Sequence, residues 1–482
     1  MTEAVLLARD SRRGRITLAA LTLGSGMAIL DGSVVNIALR TIGTDLGASL
    51  AELQWVINGY SLSLASLVLV GGALGDRLGR RRVYLAGMAG FLLASALCGL
   101  AQNPGQLIAL RVLQGVGAAL LTPGALSIIQ ASFRVEDRAP AIGTWAGVSG
   151  VASAIGPFVG GWLVDHGGWR WIFWLNVPLG LVVFALTLYA APETRDPKAT
   201  GRFDTTGALL TVLALGSLTQ ALTSAGSGFG WQTWVAGGVA LVAGVGWVVS
   251  ARHTEQPLIP LDLFRSRVFS AANAMTFLVY GALGGVFFVL VLQLQVSAGW
   301  SALNAGLSAL PVTVALLLLS SRAAAVSARI GPRLPMTVGP LVCAAGVVML
   351  VGVGPGTGWL GVLPGMVVFS LGLAALVSPL TAAVLAAVPD GQAGVASGAN
   401  NAVARAGSLL AVAALPAIAG LSGDAYLDPV AMTSGYRVAM LACAGLLAVG
   451  GVISWFGLGA RTSDGVDPEL ESRSEPESHR GP

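Results

Sequence analysis

A single carboxylate within an apolar stretch is the residue of this sequence best suited to chemistry. Of the 23 acidic residues, only Asp31 lies inside a predicted apolar segment; the others fall in loops, at segment ends or in the tail. Burial disfavours the charged form of a carboxyl group, so such a group can hold a proton near neutral pH and release it when water or a cation arrives. The alternative is an aspartate that only packs, satisfied by Ser33, Asn36 or a neighbouring helix.

Two arginines, Arg111 and Arg405, also lie inside apolar segments. An arginine at the centre of a membrane-spanning helix costs at least ~2.5 kcal/mol, so each is expected to face a cavity or a partner. Arg111 could instead be a structural residue bonded to backbone carbonyls. Arg405 follows Asn400 and Asn401, and its charge makes it the best candidate among the polar residues for lining a central cavity.

A short basic loop separates two of the apolar segments. Its notable residues are Gly72, Asp76, Arg77, Gly79, Arg80 and Arg81. Glycines allow a helix end to approach a neighbour closely, and Asp76 can accept hydrogen bonds from a helix N-terminus or pair with arginines. Because such contacts can break when two parts of a protein move, the loop is predicted to act as a gate. A basic loop that only sets membrane orientation is the simpler alternative.

A glycine–proline motif and several isolated polar residues complete the candidate set. The motif consists of Gly156, Pro157, Gly160 and Gly161, in which paired glycines permit tight helix packing and the proline bends the helix. It could also be an ordinary packing motif. The candidate cavity-lining residues are Asn36, Asn58, Tyr60, Gln114, Trp145, Gln293, Asn401 and Arg405. For any one of these, a hydrogen bond between helices is the more ordinary role.

The elements that position these residues must be membrane helices. The 482 residues are 55% hydrophobic and only 10% charged, with a mean hydropathy of +0.77, whereas soluble proteins carry about 25% charged residues. A helix needs about 20 mostly apolar residues to cross the hydrocarbon core. This rule predicts fourteen spans, at 16–37, 52–72, 83–101, 106–130, 139–163, 171–191, 206–224, 233–251, 268–294, 303–325, 335–354, 358–386, 394–421 and 435–459.

The distribution of basic residues predicts the orientation and the domain plan. Most of the 27 lysines and arginines fall in segments that share one face if both termini are cytoplasmic, as basic loops prefer. An all-α protein is therefore expected, with a six-helix bundle at 1–200, two linker helices at 201–255 and a second six-helix bundle at 256–460. Residues 461–482 are polar and acidic, and we expect a disordered cytoplasmic tail.

Several other function classes have no support in the sequence. The three histidines, His166, His253 and His479, are scattered, with no spacing typical of a nucleophile and its base or of a metal site, so we expect no enzyme. Cys98, Cys343 and Cys443 lie in apolar spans and are predicted to be packed thiols. No soluble basic face for nucleic acid is present. No cofactor is expected; the energy source would be the proton-motive force.

Four of these motifs resemble signatures of the major facilitator superfamily. The loop Gly72–Leu74–Asp76–Arg77–Gly79–Arg80–Arg81 resembles its G-x-L-x-D-R-x-G-R-[RK] motif, and the segment from Arg111 to Ala119 resembles the span-four motif of proton-coupled members. The segment Gly156–Gly161 resembles the antiporter signature of drug exporters, with Ala152 in place of the usual leading glycine. The surroundings of Asp31, from Leu30 to Leu39, resemble the first span of fourteen-span drug:proton antiporters of the QacA/EmrB type. Three aromatic- or asparagine-containing segments, at 54–62, 169–178 and 301–311, resemble the same branch.

The resemblance implies a multi-pass protein of the inner (plasma) membrane that exports a drug or antibiotic by alternating access while protons enter. Asp31 would be the coupling carboxylate, assisted by Arg111. The spans from the seventh onward contain no acidic residue, so a single carboxylate faces Arg111 and Arg405. From this we predict neutral or monocationic lipophilic substrates and about one proton per cycle. Separately, a monomer is expected. The alternatives are a dedicated exporter of one antibiotic or metabolite and a non-transporting sensor with the same fold.

Overall fold

The computed structural model describes residues 6–196, 204–254, 257–389 and 392–458, and these form helices joined by short loops. Helices are expected in lipid because each backbone group must find a partner within its own segment. The α-helices are α1 Arg12–Leu46, α2 Leu50–Leu78, α3 Arg80–Cys98, α4 Pro104–Ser132, α5 Val135–Gly167, α6 Arg170–Trp174, α7 Asn176–Ala190, α8 Thr205–Ala225, α9 Trp231–His253, α10 Arg267–Val296, α11 Ala302–Leu307, α12 Leu310–Ile330, α13 Arg333–Leu350, α14 Trp359–Ala386, α15 Ala393–Ile418 and α16 Pro429–Gly457. The all-α prediction is confirmed.

Each predicted span coincides with a helix or with two consecutive helices. The sixth span is formed by α6 and α7 and the tenth by α11 and α12. Within the described ranges, thirteen segments are long and apolar enough to cross a membrane; α5 is a 33-residue helix at the predicted fifth span but is not among the thirteen. The count of fourteen spans and the cytoplasmic position of the termini remain predictions. The predicted disordered tail lies outside the described residues.

The first seven helices and the last seven pack as two groups. In the first group α4 packs against α2 and α3, and α1 against α5; in the second, α10 packs against α15 and α16, and α13 against α14. Helices α8 and α9 pack on each other, and α8 also contacts α2 and α15. The division into two six-helix bundles and two linker helices remains a prediction.

Hydrogen bonds join the two groups at the end of the bundle opposite the arginine-rich loop. The Asp165 carboxylate at the end of α5 accepts from the backbone amides of Ala302 and Leu303, at 3.0 and 2.9 Å. In α2, the Gln54 side-chain amide donates to two backbone carbonyls of α15. The other contacts here are Arg40 to the Gln295 carbonyl, Gln295 to the Ile37 carbonyl, and Tyr426 to the Ala48 carbonyl. We call this set the end seal; on the predicted topology it lies at the outer face.

Candidate functional site

The Asp31 carboxylate and the Arg111 guanidinium form an ion pair at the core of the first group. Asp31 lies midway along α1 and Arg111 in the second turn of α4. The Arg111 Nη1 atom is 2.7 Å from Asp31 Oδ2, and each side chain is only 1% exposed. Burying two charges is tolerated where they pair closely and where other hydrogen bonds satisfy the remaining atoms.

Two amide side chains supply those other hydrogen bonds. Gln114, one turn after Arg111 in α4, donates through Nε2 to Asp31 Oδ1 at 2.9 Å. Asn176, the first residue of α7, donates through Nδ2 to the same oxygen at 2.8 Å and also to the Ser95 hydroxyl at 3.0 Å. The carboxylate thus accepts three hydrogen bonds from two helices. Each carboxylate oxygen therefore has at least one donor, which offsets part of the cost of its burial.

Arg111 has further partners of its own. Its Nε donates to the Val56 carbonyl at 3.2 Å, and its Nη1 also donates to Gln114 Oε1 at 2.7 Å. The Tyr60 ring covers the guanidinium, with the carbon atom Cζ of Arg111 4.2 Å from the ring centroid. We call the group formed by Asp31, Arg111, Gln114, Asn176 and Tyr60 the charge network. It is buried from solvent and connects helices α1, α2, α4 and α7.

Arg405 lies on the other side of the interface, in α15, without such partners. It is half-buried, and its buried Nε atom has no hydrogen-bond partner. It is close enough to Tyr60 of α2 and to Tyr280 of α10 for electrostatic interaction with both. Asn58 of α2 is fully buried, and neither its Oδ1 nor its Nδ2 has a hydrogen-bond partner. The structure therefore leaves two polar side chains unsatisfied near the boundary between the two groups.

The other predicted cavity residues lie at different places. Trp145 donates to the Ser25 hydroxyl at 2.9 Å between α5 and α1. Gln293 is fully buried and donates to the Val353 carbonyl and the Thr433 hydroxyl, so it joins helices of the second group. Asn36 is half-buried and Asn401 is exposed. The structure does not bring these four residues together with the charge network.

The basic loop is held by contacts within the first group. Asp76 pairs with Arg80 at 2.8 Å, one helical turn away across the α2–α3 break. Gly79 stands at that break with φ of +114°, a conformation that favours glycine. The carboxylate of Glu193 accepts from the backbone amides of Arg81 and Arg82 at 3.1 and 3.2 Å. Arg77 lies in the last turn of α2, and a Cβ on Gly72 would make only ordinary contact with Pro123.

The glycine–proline motif packs α5 against two different helices. A side chain on Gly156 would meet the Ser33 hydroxyl and one on Gly160 would meet Val34, both in α1. A Cβ on Gly161 would lie 2.5 Å from the Cα of Leu303 in α11. From the other side, a Cβ on Gly306 would lie 2.5 Å from the Pro157 carbonyl oxygen. The motif therefore permits close approach both within the first group and across the end seal.

Four functional positions were missed by the reasoning from sequence: Ser95, Asp165, Asn176 and Glu193. Asn176 was noted only as part of an aromatic-rich segment, whose tryptophans are typical of side chains at the membrane–water interface. Asp165 and Glu193 stood at the ends of spans, where acidic residues are common. An asparagine at the start of a span is a usable signal, because a buried amide requires partners.

A family model and solved structures each match most of this chain. The family model of the Major Facilitator Superfamily matches residues 21–412. A bacterial homologue of the human lysosomal transporter Spinster, in an inward-facing and unoccupied conformation, superimposes with a TM-score of 0.66 at 18% identity, covering 93% of this chain and 97% of that one. An auto-inhibited peptide transporter of the POT family gives a TM-score of 0.70 at 16% identity, covering 94% and 98%. At these identities the likeness shows the fold alone.

Relatives of higher identity are resistance proteins. The tetracenomycin C resistance and export protein of Streptomyces glaucescens is 36% identical over 86% of this chain and 77% of its own length. The methylenomycin A resistance protein of Bacillus subtilis is 34% identical over 95% of this chain and 98% of its own length. The multidrug resistance protein Stp of Mycobacterium tuberculosis is 34% identical over 87% of this chain and 78% of its own length. These relatives and the many apolar helices indicate a multi-pass plasma-membrane protein. The chain belongs to the major facilitator superfamily.

Proposed function

We propose that this protein exports lipophilic drugs or antibiotics from the cytoplasm in exchange for protons, by alternating access. The observation that carries the proposal is the buried Asp31–Arg111 pair, whose carboxylate is the one carboxyl group inside a predicted span among the described residues. A charged residue inside a membrane protein is retained for a functional reason more often than for stability, because it is costly. Relatives with resistance and export functions support drug export by this chain.

Protonation of Asp31 would couple proton entry to helix movement. A proton on the carboxylate removes the charge that balances Arg111, and an unpaired buried charge costs about 3–5 kcal/mol. Arg111 would then favour an arrangement in which its guanidinium finds other partners. Because the network joins α1, α2, α4 and α7, that change moves several helices together. Loss of the proton restores the pair and the arrangement described above.

The two ends of the bundle are suited to alternate opening. The end seal closes one end through hydrogen bonds between the two groups, whereas the basic loop at the other end is bonded within the first group. Opening one end while closing the other requires the end seal to break and new contacts to form near the loop. We propose that Asp76, Arg80 and Arg81 act there as the gate, and that Gly161 permits the tight closure of the seal.

The test compares Asp31→Asn with Asp45→Asn in inverted membrane vesicles from a host lacking its own drug pumps. Both substitutions remove one carboxylate from α1, but Asp45 is a partly exposed residue paired with Arg170 at the helix end. We expect Asp31→Asn to reduce proton-driven uptake of a panel of lipophilic drugs to the level of empty vesicles. Asp45→Asn should retain uptake. Size-exclusion chromatography of each variant confirms equal amounts of folded protein.

Transport by Asp31→Asn at the wild-type rate, abolished by a protonophore, would place the coupling site elsewhere. If neither the wild type nor the variants transport any compound of the panel, a sensor role becomes the better account.

A dedicated exporter of one antibiotic is the second candidate function. It is favoured by the names of several relatives, which refer to single antibiotics: tetracenomycin C, methylenomycin A and, in Streptomyces alboniger, puromycin. The same panel separates the two functions. Protection against many unrelated compounds indicates a multidrug exporter, and protection against one structural class indicates a dedicated one.

A further inference from the structure

The negative charge of the charge network is not available to a substrate. The expectation of neutral or monocationic substrates set Arg111 and Arg405 against a single carboxylate, that of Asp31. In the structure its two oxygens accept from Arg111, Gln114 and Asn176, and its side chain is 1% exposed. The Tyr60 ring also covers the Arg111 guanidinium, 4.2 Å from its Cζ atom to the ring centroid. The pair therefore contributes little net charge to the space between the groups.

Arg405 lies close to the boundary between the two groups, near Tyr60 of the first and Tyr280 of the second, and its guanidinium has capacity to donate. No hydrogen bond or ion pair of Arg405 is found in the part of the chain that the structure describes, and its Nε is buried without a partner. Its nearest electrostatic neighbours are the phenols of Tyr60 and Tyr280, not a carboxylate. A guanidinium N–H that is shielded from solvent prefers an anionic or carbonyl oxygen, and the buried Nε of Arg405 lacks such an acceptor.

Asn58 adds a second unsatisfied group on the facing helix. Gln54 lies one turn earlier in α2, on the same face, and its side chain donates to carbonyls of α15. Asn58 is therefore on the face of α2 that packs toward α15, the helix of Arg405. Both polar atoms of the Asn58 amide are buried and have no partner. Buried polar groups are nearly always hydrogen-bonded, so an amide and a guanidinium without partners on two helices that pack together point to a site for a ligand.

We propose that Arg405, with Tyr280 and Asn58, binds the anionic oxygen of an exported molecule, a carboxylate or a phenolate on a lipophilic body. The proposal rests on the export function above and revises its substrate class from neutral or monocationic to monoanionic. Arg405 donates to the anionic oxygen, and Asn58 donates its amide N–H to a neighbouring oxygen of the same molecule. No acidic residue lies in the apolar spans of the second half to compete for Arg405.

The test uses one fluorophore carrying three different charges. Dansylglycine is a monoanion, its methyl ester is neutral, and N-dansylethylenediamine is a monocation. Binding to the full-length protein is measured by fluorescence in nanodiscs of zwitterionic lipid, without a proton gradient. Wild type is expected to bind dansylglycine about tenfold more tightly than the other two, as for one charge-assisted contact with a buried arginine.

Variants of Arg405 assign the preference to that residue. Arg405→Gln should weaken dansylglycine binding about tenfold and leave the ester and the amine within about twofold of wild type. Arg405→Lys, which keeps the charge, should retain part of the preference, and Arg329→Gln, at an exposed arginine of α12, should change nothing. Nanodiscs with added phosphatidylglycerol show whether a lipid headgroup competes for the same site.

Equal or tighter binding of the amine, no saturable binding of dansylglycine, or an unchanged dansylglycine affinity in Arg405→Gln would each overturn the proposal. Competition by phosphatidylglycerol that abolishes dansylglycine binding would assign the site to lipid and overturn its role in substrate binding. These outcomes are independent of Asp31, whose substitution tests proton coupling. If the protein exports cations in a way that depends on Asp31 and binds no anion at Arg405, the proposed export function stands. Only the proposed anionic substrate class is then wrong.

Discussion

The charge network places a charged pair in the membrane interior by satisfying every atom of its carboxylate. Asp31 accepts hydrogen bonds from Arg111, Gln114 and Asn176, while the aromatic face of Tyr60 covers the guanidinium. Low dielectric strengthens each of these bonds and also raises the cost of losing any one. A single proton on Asp31 is therefore a large perturbation at this position, although it would be a small one at the protein surface.

The energetic interdependence of the pair can be measured by a double-mutant cycle. Asp31→Asn leaves Arg111 without a counter-charge, so we expect a loss of stability of about 3–5 kcal/mol; Arg111→Gln should cost a similar amount by leaving Asp31 unpaired. The double variant Asp31→Asn/Arg111→Gln removes both charges and should recover most of that loss, giving a large coupling energy. Equilibrium unfolding in mixed detergent micelles gives the four free energies.

The double variant also separates folding from transport. It is expected to be nearly as stable as wild type and to have no proton-driven transport, because no carboxyl group remains at the site. Additive losses in the cycle would mean that the two residues do not depend on each other. Asp45 and Arg170, a partly exposed pair, provide the comparison, for which coupling of about 0–1 kcal/mol is expected.

At the scale of elements, close helix approach concentrates where α5 meets α1 and α11. Gly156 and Gly160 face α1, and Gly161 faces the start of α11, whose first amides are capped by Asp165. Tyr426 closes the same end through the Ala48 carbonyl. Burial, with the negative charges of Asp424 and Glu52, raises the pKa of Tyr426 to about 12. The neutral phenol therefore persists at physiological pH, and this contact does not titrate during transport.

A methyl group at Gly161 is predicted to weaken the end seal. In Gly161→Ala the new Cβ would lie 2.5 Å from Leu303 Cα and 2.8 Å from the Ala302 carbonyl oxygen, so α5 and α11 must separate. We expect faster labelling of Ala48→Cys, a buried position within the seal, by a membrane-impermeant maleimide. Gly147→Ala in the same helix has open space around its Cβ and serves as the matched control.

Both substitutions raise helix propensity equally, so only the contact with α11 distinguishes them. The three native cysteines are buried, which keeps the background labelling low. Equal labelling rates in the Gly161 and Gly147 variants would show that this contact does not hold the end closed.

Hydropathy could predict the helices well, but it could predict only in part which side chains of different helices meet. Each apolar segment near 20 residues became a helix, because in lipid no other structure satisfies the backbone of an isolated segment. Asp31 and Arg111 could be singled out from the sequence because charges are rare in such segments, and the structure pairs them. The contacts of Asn176 with Asp31 and of Glu193 with the start of α3 were not visible, because they join residues more than 100 positions apart. A single sequence carries no record of which polar groups meet across helices.

At the scale of the whole molecule, the two halves contribute unequal charge to the space between them. The first half holds a neutralised pair and the second holds an arginine without a described counter-charge. If the substrate supplies that counter-charge, the charge moved per cycle differs from that of a cation exporter. Exchange of one entering proton for one leaving monoanion moves two charges across the membrane. Exchange of a proton for a neutral molecule moves one charge, and exchange for a monocation moves none.

The membrane potential should therefore drive export of an anion more steeply than export of a neutral molecule. Each charge gains about 2.3 kcal/mol per 100 mV, so one proton exchanged for one monoanion gains about 4.6 kcal/mol, against about 2.3 kcal/mol for a neutral substrate. The measurement uses inverted vesicles with a potassium diffusion potential set by valinomycin and no pH gradient. Dansylglycine uptake should rise with the potential about twice as steeply, on a logarithmic scale, as uptake of its methyl ester.

Uptake of dansylglycine that does not respond to the potential, while the pH gradient alone drives it, would contradict this charge balance. Asp31→Asn vesicles correct for passive movement of the dye, since they keep Arg405 but lack the coupling carboxylate.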